Sequence, residues 1–95
     1  MAGRRISEAE YRVLLADLRV LVERLCIEAA GPVTPAQIER ATGWGNSTVH
    51  ARLTNAVERG LLRYHEGGVY SPAVDAEGRP MRLVLVVEEG GPKSA

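Results

Sequence analysis

The chain has 95 residues, of which 45% are apolar and 4% aromatic, with no Phe, so it can build one small domain around an aliphatic core and not two. Twelve basic and twelve acidic residues cancel at neutral pH, which argues against a strong non-specific polyanion binder. The single cysteine, Cys26, excludes an internal disulfide and a cysteine-based zinc site.

Residues 1–5 read as a disordered basic tail without the apolar run of a signal peptide. Ser7 and Glu10 form a capping box, with Ile6 and Tyr11 as its hydrophobic staple, and open a helix that runs to about Ala30. Gly31-Pro32 is expected to stop it. Tyr11, Leu14, Leu18, Leu21, Val22 and Leu25 share its core face, with Cys26 beside them as a small buried hydrophobe. Ile6, Val13, Val20 and Ile27 recur every seven residues on nearly the opposite side. They read either as a dimer seam or as a contact for the C-terminal segment.

Thr34, Pro35 and Gln37 repeat the capping logic for a short second helix ending near Thr42, and Gly43 supplies the turn. A third helix is expected from about Asn46 to Arg59, capped by Gly60, with Val49, Leu53, Ala56 and Val57 inward. Leu61 and Leu62 lead into a strand, Glu66-Gly67-Gly68 into a tight turn, and Val69 to Val74 into a second strand. Asp75 to Pro80 is a further turn, and Met81 to Val87 a third strand, apolar on both faces. Leu83 and Leu85 on that strand join Val13, Val20 and Ile27 as the expected dimer interface. The domain is bounded at 6–87, and residues 88–95 read as a disordered tail.

The zero balance conceals a gradient. Residues 44–65 carry Arg52, Arg59 and Arg63 against Glu58, a net of +2, whereas residues 66–95 carry Arg79, Arg82 and Lys93 against five acids, a net of −2. The positive excess falls on the third helix and the strand after it.

Gly43, Ser47, Thr48, Val49 and Leu53, followed by Glu58-Arg59-Gly60-Leu61-Leu62, resemble the helix-turn-helix of MarR-type and related winged-helix transcription regulators. Asp75 to Leu83 is similar to the wing of MarR-type and PadR-type regulators. The resemblance covers residues 33–87. It implies an α+β winged helix-turn-helix of three helices plus a small antiparallel β wing, binding double-stranded DNA as a dimer. It also implies that Arg79, oriented by Asp75 or Glu77, reaches the minor groove from the wing tip. A polar turn residue is the competing reading of Arg79. Gly45 stands where such families often place a capping Ser, so Asn46 is expected to cap instead. The family's long C-terminal dimerisation helices are not expected after this wing, nor is the ligand pocket they would help to form.

The residues of the third helix agree with the resemblance. Ser47, Ala51, Thr54 and Asn55 lie opposite its core face, flanked by Thr48, His50 and Arg52. Ser47 and Thr48 suit a phosphate at a helix N-terminus, though they equally suit any helix start. Ala51 can touch a thymine methyl, Asn55 can pair with adenine and Arg52 with guanine. Arg63 and His65 either meet phosphates or face water, and Trp44 is a core plug or a stacking platform. His50 and His65 lack a third ligand at metal-site spacing, so neither a metal nor a cofactor is expected. No paired carboxylates, nucleophile–base set or phosphate-cradling loop suggests an enzyme. The expected function is a small dimeric transcription regulator in the cytoplasm, associated with the nucleoid. The competing reading is a winged-helix protein-interaction or assembly module, for example in a plasmid or phage replication or partition complex.

Overall fold

The computed structural model describes residues 6–81. Its elements are α1 (Glu8–Ala29), α2 (Pro35–Thr42), α3 (Asn46–Glu58), β1 (Leu62–His65) and β2 (Val69–Pro72). β1 and β2 pair antiparallel, with Leu62 opposite Pro72 and His65 opposite Val69. Val33, between α1 and α2, adds an antiparallel bridge to the free edge of β2 through reciprocal bonds with Tyr70 of 2.8 and 3.0 Å. The architecture is an α+β winged helix-turn-helix, as the sequence leads one to expect.

Local chemistry sets the helix starts. The Glu10 N–H donates to Ser7 Oγ and the Ser7 N–H to Glu10 Oε1, so both halves of the first capping box are made. Thr34 and Gln37 do the same for α2, with Pro35 at the first turn. Gly43 then takes the left-handed conformation, φ 81°, that reverses the chain between α2 and α3.

α1 ends at Ala29, with Ala30 left-handed at φ 59° just ahead of Gly31-Pro32, close to the expected end. One boundary differs from expectation. At α3 the N-cap is Gly45, which offers no side-chain acceptor, and Asn46 is the first helical residue. Asn46 therefore does not cap. Its amide Nδ2 donates to Glu39 Oε2 at 2.8 Å and fastens α3 to α2.

The core comprises Leu15, Leu18 and Val22 of α1, Val33, Ile38 of α2, Val49, Leu53 and Ala56 of α3, Leu62 and Tyr70. On α1 the buried face is rotated from the expected one. Leu15 is fully buried and Arg19 is 4% exposed, while Leu14, Leu21 and Leu25 are only partly covered. The cause is β2 and the residues just after it, which pack against the Arg19–Cys26 side of α1. Arg19 Nη1 donates to the Val74 carbonyl at 3.0 Å, and its Nη2 pairs with Glu23. Cys26 Sγ contacts the Tyr70 carbonyl, and burial pushes its thiol pKa up.

The hairpin β1–β2 is the wing, and its turn is Glu66-Gly67-Gly68, with both glycines at positive φ. Asp75–Pro80, expected as the wing, is a second turn closed by the Val74–Pro80 bridge at the other end of β2. The Ala73 N–H bonds Leu61 O and Arg19 holds Val74, which carries this end back to α1. At about 3.3 Å per residue, the four residues of β2 alone hold the two turns roughly 13 Å apart. Apart from Met81, the expected third strand, 81–87, lies outside the described residues, as do Leu83, Leu85, Arg82 and both expected tails.

Candidate nucleic-acid interface

Because Val49, Leu53 and Ala56 face the core, α3 turns Ser47, His50, Ala51, Thr54 and Glu58 outward, all of them exposed. Thr48 is exposed beside them. From Asn46 to Asn55 this helix carries no acidic residue. With Gly45 at the cap, no side chain among the described residues accepts from the N–H groups of its first turn, leaving them and the Ser47 and Thr48 hydroxyls open to an anion.

One flank of α3 is directed toward α1 and the α2–α3 turn, and it takes two residues expected to read bases. Asn55 Nδ2 donates to Tyr11 Oη at 2.6 Å, across helices, and is partly buried. Its amide is thus occupied by α1 rather than free at the groove face. Glu58, one turn beyond Thr54, occupies the outward position instead and puts a carboxylate at the C-terminal end of the face. Arg52, one turn before Asn55 on the same flank, lays its guanidinium over the Trp44 ring, 4.5 Å from the centroid. Of the two roles read from the sequence, the structure gives Trp44 that of a core plug. It packs against the core cluster, shares a 190 Å³ groove with Leu14, Leu18 and Leu21, and offers its ring to Arg52. An α-helical side chain leans toward the helix N-terminus, so Arg52 presents its charge toward the start of α3.

Arg59 plays a different part. Its Nη1 meets Glu8 Oε2 at 2.8 Å and its guanidinium lies 5.1 Å from the Tyr11 ring centroid. The hydrogen bond from Arg59 holds the Glu8 carboxyl below the usual carboxylate range. The positive excess read from residues 44–65 is reduced accordingly, and Arg52 and Arg63 remain without a carboxylate partner among the described residues.

On the wing, Arg63 is exposed, whereas His65 Nε2 bonds Ser71 Oγ at 2.7 Å and is turned into the hairpin. Tyr64, which the sequence reading passed over, is 55% exposed and packs edge-on against Tyr70. With Thr54, Val57 and Glu58 the two tyrosines line a 330 Å³ groove between α3 and the wing. The only sequence signal for it is period two. Tyr64 shares a strand face with Leu62 yet lies one residue too near the turn for the core to cover it.

Arg79 is bound at both ends of its guanidinium, Nε to Asp75 Oδ2 at 2.9 Å and Nη2 to Glu77 Oε1 at 3.0 Å. Asp75 also accepts the backbone N–H groups of Arg79 and Glu77. The first of these does most to hold its carboxyl below the usual range. The carboxylates expected to orient Arg79 do contact it, but in a loop distant from the hairpin turn and acidic in sum. Among the described residues no group of three or more His, Cys, Asp or Glu side chains could hold a metal, and no helix is long and apolar enough to cross a membrane.

A family model described as the IclR helix-turn-helix domain matches residues 25–66, just under half of the chain. The match takes in the end of α1, α2, α3 and β1, with the beginning of the hairpin turn. No curated protein and no solved structure matches. The match supports the helix-turn-helix resemblance and does not single out MarR-type or PadR-type regulators. The chain carries a helix-turn-helix domain of the DNA-binding type, one found in transcription regulators rather than in an enzyme family.

Proposed function

We propose that the chain is a small dimeric transcription regulator that reads double-stranded DNA by seating the N-terminal half of α3 in the major groove, with the β1–β2 wing alongside. The observation that carries this reading is the outer face of α3 from Asn46 to Thr54. It is exposed, free of acid, built of short side chains that let a backbone approach, and edged by a guanidinium held on Trp44. Ser47, Thr48 and the open N–H groups position the helix on phosphates, and Ala51, His50 and Arg52 face base edges. Arg63 on β1 adds a phosphate contact. Binding of this kind belongs to a cytoplasmic, nucleoid-associated protein, and a two-fold dimer implies a palindromic site.

The test is a fluorescence-anisotropy titration of a pool of genomic duplex fragments across a salt series. Saturable binding that weakens as salt rises is expected, because phosphate neutralisation releases counterions. Absence of binding at low salt would remove this reading. A protein-interaction module would then take its place, a second reading favoured by the exposed apolar residues of α1 and the zero net charge.

A further inference from the structure

The outer face of α1 carries four large apolar side chains seven residues apart. Ile6, at the helix entry, is 41% exposed, Val13 60%, Val20 47% and Ile27 72%. At 100° per residue they lie opposite the Leu15–Leu18–Val22 core, so no part of the described fold can cover them. α1 has 22 residues, about 33 Å of rigid helix. Two further lanes flank the stripe. One consists of Ala9, Ala16 and Glu23, and small side chains there let another helix come close. The other consists of Glu10, Asp17 and Arg24, acidic at one end and basic at the other.

We infer that this stripe is the seam of an antiparallel α1–α1 pair between two copies of the chain, the interface of the dimer proposed above. Charge complementarity selects both the occupant and the direction. A two-fold axis crossing α1 between Ala16 and Asp17 sets Val13 against the partner's Val20 and Ile6 against the partner's Ile27. The same axis sets each lane against its own copy. Glu10 then meets the partner's Arg24 twice, once at each end, and Ala16 meets the partner's Ala16 at the point of closest approach. A parallel pair replaces the two Glu10–Arg24 contacts with two Arg24–Glu23 contacts in which the carboxylate is shared with Arg19, a weaker charge match. Asp17 facing the partner's Asp17 is the one repulsive contact, so Asp17→Asn tightens the pair.

Sedimentation equilibrium of the full chain, without DNA, tests the seam independently of any DNA binding. Wild type is expected as a dimer, and Val13→Asp with Val20→Asp as a folded monomer by circular dichroism. Both positions are exposed, so the fold tolerates the change. Direction is read from disulfide trapping in a Cys26→Ser background. Ala16→Cys links to itself, Ile6→Cys does not, and a mixture of Ile6→Cys with Ile27→Cys gives the mixed disulfide. Efficient self-linkage of Ile6→Cys would overturn the antiparallel register. A monomeric wild type would overturn the seam altogether and leave the stripe to residues 82–87 or to another protein. A dimer that survives both aspartates would likewise overturn it and place the interface elsewhere. DNA binding by a monomer would separate failure of the seam from failure of the DNA reading.

Discussion

The two halves of α3 are built from similar residues and are held differently. The C-terminal half is fastened to α1 through Asn55 and Tyr11, Arg59 and Glu8, and Arg59 over the Tyr11 ring. Beyond its buried Val49 and the Asn46–Glu39 bond, the N-terminal half presents Ser47, Thr48, His50 and Ala51 to solvent. Arg52 and Arg59 make the contrast sharp. They sit two turns apart on one flank, and each guanidinium lies on an aromatic ring. Arg59 also has a carboxylate and belongs to the scaffold, while Arg52 has none among the described residues and can still serve an anion. One half of the helix fixes its orientation so that the other half can be spent on a ligand.

If this division is right, substitutions in the N-terminal half lower DNA affinity and leave stability alone. The largest effect is expected from Ala51→Glu, which places a carboxylate at the centre of the exposed face. It is expected to abolish measurable duplex binding while the thermal midpoint stays within the narrow range typical of surface changes. Retained binding would remove α3 from the groove. Arg52→Ala comes next, at about 1–3 kcal/mol of binding free energy if its guanidinium reads a base. Trp44→Leu keeps an apolar side chain in the groove with Leu14 and Leu18 but removes the ring under Arg52. It is expected to cost about 0.5–1 kcal/mol of affinity, and nothing further once Arg52 is already Ala. Additive losses in that cycle would reduce Trp44 to a core residue.

Substitutions in the C-terminal half act the other way. Tyr11→Phe keeps the ring under Arg59 and takes away the hydroxyl that accepts from Asn55. About 0.5–1.5 kcal/mol of stability is expected to go, measured by denaturant titration, with DNA affinity unchanged. Asn55→Ala is expected to match it. A loss of DNA binding with Asn55→Ala but not with Tyr11→Phe would return Asn55 to the groove, where the sequence pattern places it.

That difference over Asn55 marks how far the sequence carries. The capping boxes at Ser7 and Thr34, the Gly43 turn, the inward Val49, Leu53 and Ala56 and the β hairpin are all legible, because each depends on neighbours a few residues apart. The exposed heptad of α1 is legible for the same reason. What is not legible depends on distant partners. A helical wheel places Asn55 at the edge of the outer face, and only the crossing of α1 over α3 brings Tyr11 to it, 44 residues away. Burial of Arg19 requires the segment after β2 to return to that side of α1, where the Val74 carbonyl accepts from it. Two glycine-containing turns follow α3, and the choice of the first as the wing rests on the hydrogen bonds of Ala73 and Val74 to Leu61 and Arg19. The carboxylates around Arg79 were visible as neighbours, but their loop's position was not.

The smallest effect concerns the Glu8–Arg59 pair, whose partners are both open to water and screened by salt. Arg59 depresses the Glu8 carboxyl in the folded state, so the unfolded chain binds the proton more readily. The pair's contribution is therefore present in full above the ordinary carboxylate value and is lost as pH falls through the depressed folded one. Glu8→Gln is expected to lower the thermal midpoint slightly at neutral pH and to flatten its decline in that acidic window, relative to wild type. High salt is expected to shrink the difference between the two proteins. DNA affinity at neutral pH is expected to be the same in both, because Arg59 is directed at α1. If Glu8→Gln instead strengthened DNA binding, the freed Arg59 would be reaching phosphate. The C-terminal half of α3 would then be a reserve of positive charge held back by α1, and the two arginines would differ only in how tightly each is restrained.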